Sequence, residues 1–186
     1  MRKIIQIIFI LMLIIAMAAC SSKGSIKVGS KYQGGIIFYI LVAGDVGYDA
    51  NVPHGLIAST KDQSTDIVWS TVSNALLSVP DTLTSIGSGK ANTDKIIAQN
   101  GTGLNYAAAL ARAYKGGGYS DWYLPSKDEL NLLYLARKKV GGFGDYYYWS
   151  SSEYFEEFVW LQNFNLGNLA NGGKNYGNRV RAIRSF

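Results

Sequence analysis

Residues able to do covalent or metal chemistry are few in this sequence. One histidine, His54, and one cysteine, Cys20, occur in 186 residues. A serine nucleophile would need His54 as its base, and no His/Cys set with metal-ligand spacing can be assembled. Paired carboxylates can cleave a glycoside; Glu156 and Glu157 are adjacent, and neighbours on a strand point to opposite faces. A lone histidine beside a strand more often serves a loop hydrogen bond than catalysis. Asp45, Asp49 and Asn51 carry oxygens suited to a hard cation, but their spacing matches no calcium loop and reads as a solvated turn. The expectation is therefore a binding protein, not an enzyme, with no catalytic residue, no metal and no cofactor; the alternatives are a structural envelope protein without a specific ligand and a glycan-acting hydrolase.

Recognition chemistry is plentiful by contrast. Tyrosine occurs 13 times while charged residues make up only 17%. Tyrosine offers contact area and a polar tip at small entropic cost, and amides give adaptable hydrogen bonds. That mixture concentrates near the carboxyl end, in Tyr154, Phe155 and Glu156, then Asn165, Leu166, Asn168, Leu169 and Asn171, then Lys174, Tyr176 and Asn178. With Tyr146 and Arg179 these are the candidate ligand-binding residues. Trp149 and Trp160 read as core. Only Lys174, Arg179 and Arg181 suggest a basic patch; Arg179 and Arg181 are expected to be partly exposed, and Arg184 to pair with Glu129 or Glu153.

Those residues need a scaffold, and its clearest element begins at Ser126. A serine three residues before Glu129 permits a reciprocal capping box, with Pro125 just outside the start and Leu130, Leu133 and Tyr134 at helical spacing. Gly141 and Gly142 end this helix. Helices are also predicted over 91–100 and 105–114, and buried or half-buried strands over 36–42, 55–59, 146–152, 158–164 and 179–185. Trp69 anchors a loop on the core, and 70–89 shows no firm period. The fold class is α+β, with short helices packed on a small, twisted, mostly antiparallel sheet.

The amino-terminal stretch reads as an export signal. Arg2 and Lys3 precede an apolar run over 4–16 that is shorter than the roughly 20 residues a spanning helix needs. Ala18 and Ala19 then lead to Cys20, a pattern resembling a bacterial lipobox in which the thiol is lipidated; Met17 departs from the usual Leu. The organisation expected is a signal peptide over 1–19, a lipidated Cys20 with a small polar tether over 20–27, and one domain over 28–186. Removing Arg2 and Lys3 lowers the formal +5 by two, too small a surplus to argue for nucleic acid. Without Cys20 no thiol remains, so core packing alone must hold the domain.

The blocks DWYLPSKDEL, YWSSSE and NRVRAIRSF, preceded by YQGGIIFYI and HGLIASTKDQS, resemble the C-terminal domain family of Legionella collagen-like protein. Tyr123 departs from the family pattern, where arginine is frequent. The resemblance implies a C-type-lectin-like fold and adhesion to a cell-surface protein or polysaccharide, on an exported lipoprotein of the outer membrane or cell surface. The Glu-Pro-Asn and Trp-Asn-Asp triplets of calcium-dependent sugar lectins do not occur in this sequence. The aromatic and asparagine-rich tail also resembles the variable region of retroelement-diversified proteins, in which Asn-type codons are rewritten.

Overall fold

The computed structural model describes residues 26–186. The expected signal peptide and Cys20 lie outside the described residues. The chain is α+β with short helices on small, twisted, mostly antiparallel sheet structure, as expected, and its strands form two curled sheets. The first has the order β1 (Lys31–Tyr32), β2 (Gly35–Ile40), β3 (Gly55–Ala58) and β9 (Ile183–Ser185). In the second, the order is β4 (Ser64–Ile67), β8 (Asn178–Val180), β5 (Tyr147–Phe155), β6 (Phe158–Asn163) and β7 (Leu169–Gly173). All neighbouring strands are antiparallel except β5 and β8.

The tail predicted as one strand over 179–185 is in fact two, β8 in one sheet and β9 in the other. Arg181 sits at the crossing and is withdrawn from solvent, contrary to the partial exposure expected. Its guanidinium donates to Asp62 at 2.7 Å, to the Ser59 carbonyl at 3.0 Å and to the carbonyls of Gly141 and Gly142. A buried arginine needs its fork fully occupied, and the acceptors that satisfy it lie where the two sheets meet. Positive φ at Gly141 (75°) and Gly142 (71°) lets that loop turn its carbonyls toward the arginine.

Four helices fill the spaces between strands: α1 (Gly89–Asn100), α2 (Ala107–Ala113), α3 (Lys127–Leu135) and α4 (Arg137–Val140). The capping box forms as the sequence requires. Ser126 Oγ accepts the Glu129 amide, and the Ser126 amide donates to Glu129 Oε2 at 2.8 Å. Glu129 Oε1 accepts a third bond from Gly87 N at 2.9 Å, which ties the turn before α1 to the start of α3. Burial pushes this carboxyl up to about 7 against the lowering effect of those bonds.

Strand alternation sorts the interior into two clusters. Ile57 and Trp149 join Ile37, Trp69, Trp122 and the alanines of α2 in one cluster, while their neighbours Leu56, Ala58 and Tyr148 join Phe38, Leu130, Leu133 and Phe164 in the other. A register shift between Ile37 and Tyr39 accompanies the burial of consecutive Ile37 and Phe38, one in each cluster. That double coverage explains the unbroken apolar run of β2. Trp69 Nε1 donates to Ser150 O at 2.8 Å and Trp149 Nε1 to Ile67 O at 2.7 Å, so these two indoles pin β4 and the chain after it to β5.

Candidate functional site

The β5–β6 connection is tight, with Phe155 opposite Phe158 and only Glu156 and Glu157 between them. The two carboxylates are thus turn residues, not strand neighbours on opposite faces as expected. Beside this turn, Gly173 at the end of β7 faces Phe158, and the Glu157 carbonyl accepts Lys174 N at 3.0 Å. The hairpin tip and the β7–β8 loop therefore share one end of the sheet.

A third segment is fastened to this end by a buried ion pair. Glu153 accepts Val79 N at 2.8 Å and Ser78 Oγ at 2.9 Å, and its own amide donates to Thr82 Oγ1. Lys174 donates to Glu153 and, at 2.6 Å, to the Leu77 carbonyl, with Trp69 beneath its ammonium at 5.0 Å. The Lys174 side chain is 0% exposed. Lys174 was expected at the binding face; the structure makes it an internal post instead, because Glu153, the Leu77 carbonyl and the Trp69 ring together offer what a desolvated ammonium requires.

This fastening assembles an apolar platform. Leu76, Phe158 and Tyr176, all exposed, border a cleft of about 180 Å³ with Glu157 and Asn175. Tyr154, Phe155 and Glu156 border a neighbouring cleft of about 260 Å³ with Asp81 and Thr82. Tyr154 packs edge-on against Trp160 at 4.8 Å, and Lys127 lies 5.0 Å above the same indole. Trp160, expected in the core, is half-buried and supports the platform from below. Four exposed rings, two leucines including the half-covered Leu77, and the carboxylates of Asp81, Glu156 and Glu157 give this end an apolar and acidic character.

Other expected residues are elsewhere. Tyr146, Asn165, Leu166 and Asn168 gather at the opposite end of β6, about 17 Å away for a six-residue strand. There the Tyr146 carbonyl accepts Phe164 N, and Asn163 Oδ1 accepts the amides of Asn165 and Leu166. Leu169 and Asn171 are exposed along the edge strand β7 between the two ends. Asn178 is buried opposite Ile67. Arg179 is half-buried and pairs with Asp62 Oδ2 at 3.2 Å. Arg184 pairs with Asp121 and Gln33 rather than with Glu129 or Glu153, whose oxygens are already bonded elsewhere. Together these contacts turn Lys174, Arg179, Arg181 and Arg184 inward, and the basic patch that the sequence suggested does not form at the tail.

Leu76, Leu77 and Phe158 were not among the expected contact residues. The leucines lie in the stretch without period, and their only signal was two adjacent apolar residues amid polar ones. Asp45 accepts Tyr39 OH at 2.8 Å and Val42 N at 2.9 Å, and Asp49 accepts Asn51 N at 2.7 Å, so both close their own turns. Among the described residues no cluster of three His, Cys, Asp or Glu side chains could hold a metal ion, and no helix is long and apolar enough to cross a membrane. Tyr123, the position of departure from the family pattern, fills the second core cluster, and burial holds its phenol well above the usual range.

A family model described as the Lcl C-terminal domain matches residues 58–184, from β3 to β9. None of the curated proteins with which the chain was compared matches it.

Proposed function

Since this chain belongs to the Lcl C-terminal domain family, whose name points to surface-associated collagen-like proteins, we infer that it is an exported binding protein rather than an enzyme. The observation that carries this reading is the exposed cluster of Leu76, Tyr154, Phe155, Phe158 and Tyr176 at one end of the second sheet. Exposed rings on hydrogen-bonded strands lose little entropy on binding and offer large contact areas, and several together mark an interaction site rather than chance exposure. The surrounding carboxylates disfavour a polyanionic glycan and suit a neutral polysaccharide or a protein with apolar and basic groups. In this reading Cys20 carries the lipid, and the tether sets the domain on the envelope.

The exposure pattern also supports a diversified tail. Tyr154, Phe155, Asn165, Leu166, Asn168, Leu169, Asn171 and Tyr176 are all exposed, so they can vary without disturbing the core. Lys174 and Asn178 are not part of that set. A reverse-transcriptase gene beside a near-identical template repeat would support diversification, and a neighbourhood with neither would end it.

The binding reading is tested by screening the protein on neutral-glycan, anionic-glycan and extracellular-protein arrays, beside a Tyr154→Ala/Phe155→Ala/Tyr176→Ala variant. The expected result is a neutral-glycan or protein ligand that the variant loses at unchanged melting temperature. A ligand bound equally by both proteins would reject this surface.

A further inference from the structure

The end of β6 remote from the aromatic platform carries the opposite charge. Phe164, one residue past this strand, lines a concavity of about 230 Å³ with Arg137, Lys138 and the glycine-rich loop over 141–144. Arg137 stacks over the Tyr134 ring at 3.9 Å, and Lys138 and Lys139 stand exposed on α4. Gly29 approaches this helix so closely that a Cβ built on it would lie 3.6 Å from the Cβ of Lys139. A turn in which Ser30 N donates to the Lys27 carbonyl at 3.0 Å sets the exposed Lys27 beside the same helix. The Thr60 carbonyl lies 3.2 Å from the corresponding point on Gly142, which brings in the exposed Lys61.

These cations are not neutralised by their own chain. None of Lys27, Lys61, Arg137, Lys138 and Lys139 makes an ion pair among the described residues. Two carboxylates lie nearby. Asp62 is held between Arg179 and Arg181, and Asp145 lines the concavity. Residues 1–25 contain no acidic side chain, and Lys23 adds a further positive charge. The face therefore keeps an excess of positive charge, whereas Asp81, Glu156 and Glu157 border the platform at the other end.

The chain enters the domain on this same face. Seven peptide steps separate Cys20 from Lys27, a reach of at most about 25 Å. A lipid on Cys20 would thus keep Lys27 and Lys139 within a few screening lengths of the headgroups, the Debye length being about 8 Å at physiological salt. Acyl anchoring is reinforced by a basic patch, and each Lys or Arg at an anionic surface strengthens the attraction about fivefold. We propose that this basic face docks on anionic phospholipid headgroups of the membrane that carries the anchor, and so turns the aromatic platform outward. The proposal rests on the reading of Cys20 as lipidated.

The test uses the mature protein purified from membranes, its acylation read by intact mass, and reconstituted in vesicles of phosphatidylcholine alone or with phosphatidylglycerol. Acetylation rates of individual lysines are then followed by mass spectrometry. Lys27, Lys61, Lys138 and Lys139 should react at least fivefold more slowly on the anionic vesicles than on the neutral ones. Lys95, which donates to the Asp81 carbonyl at the platform end, should react equally on both. Raising the salt should restore the rates. Lys138→Gln/Lys139→Gln, at exposed positions where folding is not at risk, should return Lys27 to its rate on neutral vesicles. An acylated protein with equal rates on the two vesicles overturns the proposal and leaves the lipoprotein reading standing; a mature protein without acyl chains overturns both. Slowing at Lys95 in place of the four lysines, or full protection in the double variant, overturns the orientation. Slowing by soluble heparin but not by phosphatidylglycerol would make the face a polyanion site and overturn the proposal likewise.

Discussion

Replacing Lys174 with methionine should undo the platform from within. Met keeps most of the stem packed on Trp69 but removes the ammonium, so Glu153 loses its ion-pair partner and the Leu77 carbonyl its donor. Breaking a buried pair from one side costs about 3–5 kcal/mol. Glu153 keeps its bonds from Ser78 and Val79 and is slightly exposed, which places the expected loss near the lower figure, about 3 kcal/mol. For a chain of this size that corresponds to a fall in melting temperature of roughly 6–12 °C. Circular dichroism gives the melting temperature, and amide hydrogen exchange over 75–83 reports whether the segment has come loose. A Lys174→Met/Glu153→Gln double variant should recover part of the loss, since no charge is then stranded. A loss below about 1 kcal/mol with unchanged protection over 75–83 would refute the claim that this pair holds Leu76 in place.

Three further outcomes follow from the same structure. Glu129 has its carboxyl raised from 4.5 to about 7 by burial, so its contribution to stability is complete below about pH 4.5 and is lost as pH rises through 7. The change is on the order of 3 kcal/mol; urea midpoints at pH 4.5, 6 and 8 should decline, and Glu129→Gln should flatten the decline while lowering stability throughout, because an amide N–H₂ must then face a backbone donor. Gly89→Ala, although it adds a better helix former, should destabilise by about 1–3 kcal/mol in chemical denaturation. Its Cβ would strike Glu129 Oε2 and lie 2.8 Å from Ser126 N; a gain in stability would show that this approach is not tight. Cys20→Ser should abolish fatty-acyl labelling and release the protein from the membrane fraction, and an unlabelled wild type would contradict the lipoprotein reading.

The capping box was legible because it depends on two side chains three residues apart. Trp69 and Trp149 were equally legible as anchors, since a large ring with one donor has few stable homes outside a core. Pairings across the fold were not. Nothing near residue 180 marks the passage from one sheet to the other, because the partners of Arg181 come from Ser59, Asp62, Gly141 and Gly142. The same blindness affected the site. Lys174 and Asn178 carry the composition of a ligand face, yet their neighbours in space, Glu153 and Ile67, draw them inward. Tyr146 and Leu166 are near Tyr154 and Tyr176 in sequence, while β6 holds them at the far end. The segment over 70–88 has no period because Glu153, Lys174, Asn92 and Ser152 supply partners to its backbone in place of a helix or ladder.

The most direct test compares the two ends of β6 against whatever ligand the arrays identify. Dissociation constants should be measured for wild type, for Tyr154→Ala/Tyr176→Ala at one end and for Tyr146→Ala/Leu166→Ala at the other, with melting temperatures recorded for all three. The first pair should weaken binding by a hundredfold or more and the second by less than threefold, at matching stability. If the second pair carries the loss and the first is silent, the binding face is at the wrong end and the account fails.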